Sequence, residues 1–272
     1  MLQLIAVILS LGCAGAAQAQ DRFITLSSTT STQDSGLFGH ILPLFKAATG
    51  ITVHVVAVGT GQALAIGERG DADALLVHDR PGEDKFVADG YGVDRRDVMY
   101  NDFVIVGPRS DPARIRGLKD AVAALSQIAA TAAPFASRGD DSGTNRMELR
   151  LWQGAGIAPD PRGGWYRDLG QGMGATLNVA ATMNAYTLTD RATWANFKNR
   201  QELEILTEGD PALFNPYGSI LVNPARWPHV KFADAKVWHE WLTSKSGLDA
   251  ITSYRINGEE LFFPPRAVPA KP

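Results

Sequence analysis

Four short stretches of this chain gather residues able to donate hydrogen bonds to an anion. They are "SSTTSTQDSG" (27–36), "VGTGQAL" (58–64), "SRGDDSGTN" (137–145) and "GQGMGATL" (170–177). Each falls where a strand-like run hands over to a helix-like one. The first turn of a helix has backbone N–H groups with no internal partner, and the helix dipole adds partial positive charge there. Glycine lets the backbone come close to a bound group, and Ser and Thr add hydroxyl donors. The chemistry implied is capture of an oxyanion. Thr29, Thr30 and Ser31 are the donors expected from the first stretch, with Thr60 and Gly61 beside them. Ser142, Gly143 and Thr144 face them from the third, and Arg138 supplies the positive charge. Ser137, Met173 through its backbone, and Tyr186 complete the candidate set. Any one corner alone reads better as an ordinary helix cap. The argument rests on the same design recurring in all four.

The elements that must position these corners alternate between short apolar runs and helical spacing. "RFITLS" (22–27), "ITVHVVAV" (51–58) and "ADALLVHD" (72–79) read as strands, with helices expected over 35–49 and 60–70. Strand, helix, strand, helix, strand implies a parallel sheet covered by helices. A longer strand is expected over 98–107, then a helix over 118–130, a strand over 134–138 and a helix over 142–153. A helix over 172–184, short strands at 186–189 and near Leu203, a strand over 215–224, and helices over 233–243 and 248–254 complete the reading. The fold expected is two α/β lobes joined by two chain crossings, near 106–111 and 214–219. That assigns 20–107 with 218–272 to the first lobe and 108–217 to the second. In open α/β sheets ligands sit at the carboxyl ends of strands, where all four corners lie.

Other function classes find little support. The formal net charge is −3, with no long block of one sign, which argues against nucleic acid as a partner. Residues 1–19 read as a cleavable secretory signal ending in Ala17-Gln18-Ala19, and Cys13 weakly resembles a lipidation site. The only cysteine lies in that segment, so neither a disulfide nor a thiolate metal site is expected in the mature chain. The five histidines lack metal-ligand spacing. Ser142 lies in "DDSGT" rather than in a nucleophile elbow, and His78-Asp79-Arg80 has no nucleophile motif beside it. His78 and Asp79 are expected to form structural hydrogen bonds near the cleft or hinge. No catalytic residue and no cofactor is expected.

Eight runs, "STTSTQDSGL", "VGTGQAL", "DADALLVHDR", "YNDFVIVGP", "SRGDDSGT", "GQGMGATL", "YTLTDRATW" and "NPYG", resemble in order the tungstate-binding proteins of Tup-type ABC transporters. The resemblance spans about residues 26–224. It implies a two-lobed periplasmic-binding-protein-like fold of type II, a periplasmic location and a monomer. It also implies a membrane permease and an ATPase as partners, and tungstate as ligand with molybdate tolerated. The tungsten would be held as its oxyanion, without direct protein–metal ligands. Two positions depart from the family pattern: Ser28 replaces a Thr, and Asn145 stands where His is common. Tungstate near neutral pH is a full dianion that only accepts hydrogen bonds, whereas phosphate usually keeps a proton and asks for an acceptor. Asp140 and Asp141, inside the third corner, keep a phosphate-binding alternative open. A hydrolase of phosphate or sulfate esters is the reading from another class.

Overall fold

The computed structural model describes residues 22–266. The expected signal segment, its cleavage point and Cys13 lie outside the described residues. The chain runs β1 (Phe23–Thr29), α1 (Thr30–Asp34), α2 (Leu37–Thr49), β2 (Thr52–Val58), α3 (Thr60–Glu68), β3 (Ala74–Val77), α4 (Arg80–Ala88) and β4 (Gly92–Pro108). It continues through α5 (Ala121–Ala130), β5 (Phe135–Ser137), α6 (Gly143–Gly154), β6 (Tyr166–Asp168), α7 (Met173–Met183), β7 (Thr187–Asp190), α8 (Arg191–Asn196) and β8 (Leu203–Thr207). It ends with β9 (Phe214–Val222), α9 (Phe232–Thr243), α10 (Lys245–Ser253) and a two-strand hairpin, β10 (Arg255–Ile256) with β11 (Glu259–Glu260).

One long strand, β4, serves two lobes. In the first, the order is β2-β1-β3-β9-β4, with β1 parallel to both β2 and β3. From Gly92 to Asp102 β4 pairs with β9; from Phe103 to Pro108 it pairs with β7 and β8 instead. A parallel pair, β5 and β6, joins the second lobe through the Phe135–Tyr186 bridge. Each lobe therefore contains an adjacent parallel pair, β1 with β2 and β5 with β6. Parallel neighbours end on the same side of a sheet, so the helices that follow start side by side. That is what delivers the four corners in two facing sets.

Each lobe has a core on both faces of its sheet. In the first lobe Ile24, Leu26, Phe45, Trp238 and Ile251 pack on one face, and Leu64, Leu75, Phe86 and Ile220 on the other. Trp238 and Trp241, spaced for one helix face, stack at 5.8 Å over Phe45. In the second lobe the two-residue period of β4 divides the labour. Phe103 and Ile105 join Phe135, Trp152 and Tyr186, while Val104 and Val106 join Met173, Leu177 and Trp194.

The sequence reading missed α1, α4, α8, β6 and the β10–β11 hairpin. The first and third are too short to show a period. A Pro-Gly pair and four charged residues leave α4 only a few apolar positions, and β6 spans only three residues.

Candidate functional site

All four corners meet where the lobes face each other. Thr29 caps α1, its Oγ1 accepting from the Thr32 amide at 3.2 Å. Gly59 caps α3, Ser142 caps α6 and Gly172 caps α7. A Cβ added at Gly59 would lie 2.6 Å from the Asp140 carbonyl of the opposite lobe. One added at Gly172 would lie 3.3 Å from the Thr30 hydroxyl. Glycine at these two positions is therefore what allows the corners to approach.

Arg138 lies at the centre of this meeting point. Only 1% of the residue is exposed, although it is a cation on a loop. Nη1 donates to Ser31 Oγ at 2.7 Å and Nη2 donates to Thr30 Oγ1 at 2.7 Å, both across the cleft. Nη2 also pairs with Asp140 at 2.5 Å. The Nε–H is buried without a partner among the described residues. An unsatisfied buried donor costs roughly 1–3 kcal/mol, which a hydrogen-bond acceptor at the site would relieve.

Further contacts cross the cleft beside it. The Gly143 amide donates to Thr60 Oγ1 at 2.7 Å, and the Gly61 amide to the Asp141 carbonyl at 3.0 Å. Ser31 and Thr144 hydroxyls lie 3.4 Å apart. The Gly174 amide donates to Asp34 at 3.0 Å. Burial pushes the Asp34 carboxyl up, against the pull of that amide and of the Arg138 charge. On one flank Asp79, at the N-cap position of α4, receives Arg146 at 2.7 Å and Arg150 at 2.9 Å, both from α6. Burial alone would raise Asp79, but the two guanidinium groups outweigh it and hold its carboxyl below the usual range.

The structure thus brings together Thr30, Ser31, Thr60, Gly61, Arg138, Gly143 and Thr144 as one cross-cleft cluster. Ser142 borders it as the α6 cap, its Oγ accepting from the Asn145 amide at 3.2 Å. Met173 stands at the first turn of α7 with its side chain in the apolar core.

Three hydroxyls have other duties. Thr29 Oγ1 is engaged inside α1, 2.8 Å from Thr32 Oγ1. Ser137 turns into the second lobe, donating to Glu148 at 2.8 Å. Tyr186 corrects the expectation that it faces the cleft. Its ring packs among Phe135, Phe103 and Leu188, and its hydroxyl donates to Asp111 at 2.8 Å and accepts from the Ala113 amide at 2.9 Å. Strand parity turns the ring to the core face behind the site.

The loop carboxylates are also engaged. Asp140 pairs with Arg138 and accepts from the Ser142 amide, and Asp141 pairs with Arg146 at 2.7 Å. Asn145 supports the loop from behind, its Oδ1 accepting from the Asp141 amide and its Nδ2 donating to Ser137.

Two groups escaped the sequence reading. Glu148 is fully buried under the third corner, accepting from Ser137, Tyr166 and Trp152, and burial pushes its carboxyl up to about 7. Glu148 follows "SRGDDSGTN" by three residues, and only its helical spacing from Thr144 and Leu151 could have suggested an inward direction. The second is a buried chain through the hinge, of which only the structural hydrogen bond of His78 was expected. His78 Nδ1 donates to Asn215, Asn215 to Asn101, and Asn101 to Asp190, at 3.0, 2.6 and 3.4 Å. Burial lowers His78 to about 4, so the ring is neutral.

Comparison with known proteins agrees with this fold. The sequence profile of the PBP superfamily domain matches residues 14–246. The tungstate-binding protein TupA of Peptoclostridium acidaminophilum is 46% identical over 90% of this chain and 85% of its own. A tungstate ABC transporter structure from Geobacter sulfurreducens superposes with a TM-score of 0.78, at 52% identity over 85% of this chain and 98% of that one. TupA of Desulfovibrio alaskensis G20 gives a TM-score of 0.74, at 44% identity over 90% of this chain and all of that one. A two-lobed fold with its polar corners folded onto a buried arginine, and relatives that match nearly end to end, lead to one assignment: the chain belongs to the PBP superfamily and, within it, to the family of the tungstate-binding TupA proteins.

Proposed function

We propose that this chain is the extracytoplasmic solute-binding component of an ABC importer and that it captures tungstate, with molybdate tolerated, between its lobes. The observation that carries the reading is Arg138, buried and donating from one lobe to the Thr30 and Ser31 hydroxyls of the other. An oxyanion there would replace the two hydroxyls as the acceptor and be reached from both sides. Thr30, Ser31, Thr60, Gly61, Arg138, Ser142, Gly143 and Thr144 are the proposed contacts. Both carboxylates of the third corner are already paired or capping, which favours an acceptor-only dianion over a protonated phosphate. The partners are the membrane permease and ATPase of the importer. We place the lobe boundaries at 102/103 and 213/214, where β4 and β9 change or take up partners, rather than at 107/108 and 217/218.

Because donors come from both lobes, anion binding favours the closed state over the open one. Calorimetric titration with tungstate, molybdate, phosphate and sulfate tests the ligand class. Tight binding of tungstate with weak response to phosphate and sulfate is expected. Stronger binding of phosphate than of tungstate refutes it. X-ray scattering should show a smaller radius of gyration with tungstate than without.

A further inference from the structure

The hinge chain ends on a carboxylate that the proposed anion contacts do not use. Asp190 closes β7, caps α8 and is fully buried. Its Oδ1 accepts from the Thr193 amide at 2.9 Å and from Asn101 Nδ2 at 3.4 Å. Its Oδ2 is buried with no hydrogen-bond partner among the described residues, although the nearby Thr193 side chain favours the charged form. The same Thr193 donates through Oγ1 to the Ser31 carbonyl at 3.1 Å, so Asp190 sits one residue behind the hydroxyl that Arg138 grips. A fully buried carboxylate oxygen without a donor is costly while ionised, and more so when a doubly charged anion arrives nearby.

The charges around Asp190 do not cancel that cost. Arg138 acts on it from the β5–α6 loop and favours the charged form, but Arg138 is already paired with Asp140. Asp34, from α1, acts in the opposite sense. Tyr217, from β9, is fully buried and its hydroxyl stays protonated. His78, at the far end of the chain, is neutral. Burial raises Asp190 to about 6 before any anion is considered.

We propose that Asp190 takes up one proton on Oδ2 when a dianionic oxyanion enters the cleft, and lies beside the anion as a neutral carboxylic acid. This rests on the oxyanion reading above and deepens it. It makes Asp190 a specificity-determining residue, because neutral Asp190 suits a ligand that carries no proton of its own. Ionised Asp190 would instead suit a ligand that brings one, such as monohydrogen phosphate.

The sign follows from linkage: the bound state holds more protons, so affinity rises as pH falls. The free carboxyl lies at about 6, so the dependence should flatten below that pH. Above it the dissociation constant for tungstate should rise by up to about tenfold per pH unit, the limit for one proton. Titration of the wild-type protein with micromolar tungstate at pH 7.5, in two buffers of different ionisation enthalpy, should show uptake of about one proton per anion. Asp190→Asn should remove both the uptake and the slope. Asp34→Asn and Glu148→Gln should keep the slope. The wild-type measurement stands by itself if the Asp190 variant fails to fold. Tungstate binding with a flat pH profile and no proton uptake overturns the inference while leaving the oxyanion reading intact. So does a slope that disappears in the Glu148 or Asp34 variant and persists in Asp190→Asn. Phosphate binding at least as tightly as tungstate, without proton uptake, would mean that Asp190 stays ionised, and overturns it as well. No tungstate binding at any pH removes the oxyanion reading and this inference together.

Discussion

The cross-lobe ion pairs at Asp79 hold the closed state without touching the proposed anion, and Asp79→Ala isolates their contribution. The Asp79 side chain is 2% exposed, whereas those of Arg146 and Arg150 are 25% and 41% exposed. Removing one partner of a fully buried pair costs about 3–5 kcal/mol, because the other charge is left dry. That limit does not apply here. Arg146 keeps Asp141, and both guanidinium groups already reach water. An exposed pair is worth about 0–1 kcal/mol. Two bonds on a buried carboxylate between half-hydrated partners place the cost between these cases, at about 1–2 kcal/mol. The pairs exist only when the lobes meet, so the whole cost falls on closure. If only the closed form holds the anion tightly, affinity for tungstate should drop about five- to thirty-fold. The assay is a titration at low and high ionic strength, with scattering at saturating tungstate. Wild-type affinity should weaken with salt more than that of the variant, since partly exposed pairs are screened. Unchanged affinity with unchanged scattering would refute the argument that these pairs stabilise closure. A lower melting temperature without a change in affinity would place their role inside one lobe.

Three further substitutions probe other parts of the site. Arg138→Ala removes the charge-assisted bonds, worth about 1.5–3 kcal/mol, and should weaken tungstate binding about ten- to a hundred-fold with the fold intact; an unchanged dissociation constant would reduce Arg138 to a brace for Asp140. Gly59→Ala suits its extended backbone, but the new Cβ would lie 2.6 Å from the Asp140 carbonyl across the cleft. Overpacking of this kind costs about 1–3 kcal/mol, so affinity should fall about five- to a hundred-fold without a loss of melting temperature in the free protein. Glu148, raised to about 7 by burial, binds a proton more tightly when folded than when unfolded. Its linkage therefore favours the folded state below the unfolded value, near 4.5, and loses that stabilisation as pH rises to about 7. Glu148→Gln should flatten the fall in melting temperature across that window, and an equally steep fall in the variant would count against the assignment.

The donor corners were legible in the sequence because their determinants are local. A cap residue, a glycine and a hydroxyl run report a helix start wherever they occur, and parallel strands then align the starts. The partners of those donors were not legible. Whether Asp140 or Asp141 takes Arg138 depends on backbone geometry: Asp141 has a positive φ of 54°, which turns it toward Arg146 and leaves Asp140 beside Arg138. Tyr186 was misplaced although Leu188, two residues on in the same expected strand, shares its face and marks that face as the core side; the phenol hydroxyl was read as a cleft donor, whereas it serves Asp111 and Ala113. The hinge chain was the hardest to see. His78, Asn101, Asp190 and Asn215 lie far apart in sequence, and each stands in a run that reads as plain strand or strand end. Only the antiparallel register of Asn101 opposite Asn215 makes them neighbours.

That register also bears on how closure and recognition are joined. Asn101 and Asn215 are directly paired on the two strands at the lobe junction, and their amides link to His78 on one side and Asp190 on the other. A rotation of one lobe against the other bends the chain between β4 and β9 at this level. The buried amides can keep their bonds only over a narrow range of angles, because hydrogen bonds weaken steeply away from linearity. An unsatisfied amide here would be sealed from water and costly. The hinge network therefore narrows the set of closed geometries and helps bring Arg138 to Thr30 and Ser31 rather than to a neighbouring register. Selectivity among oxyanions of similar size needs that reproducibility, since hydroxyl donors at a badly fixed distance would accept any tetrahedral anion.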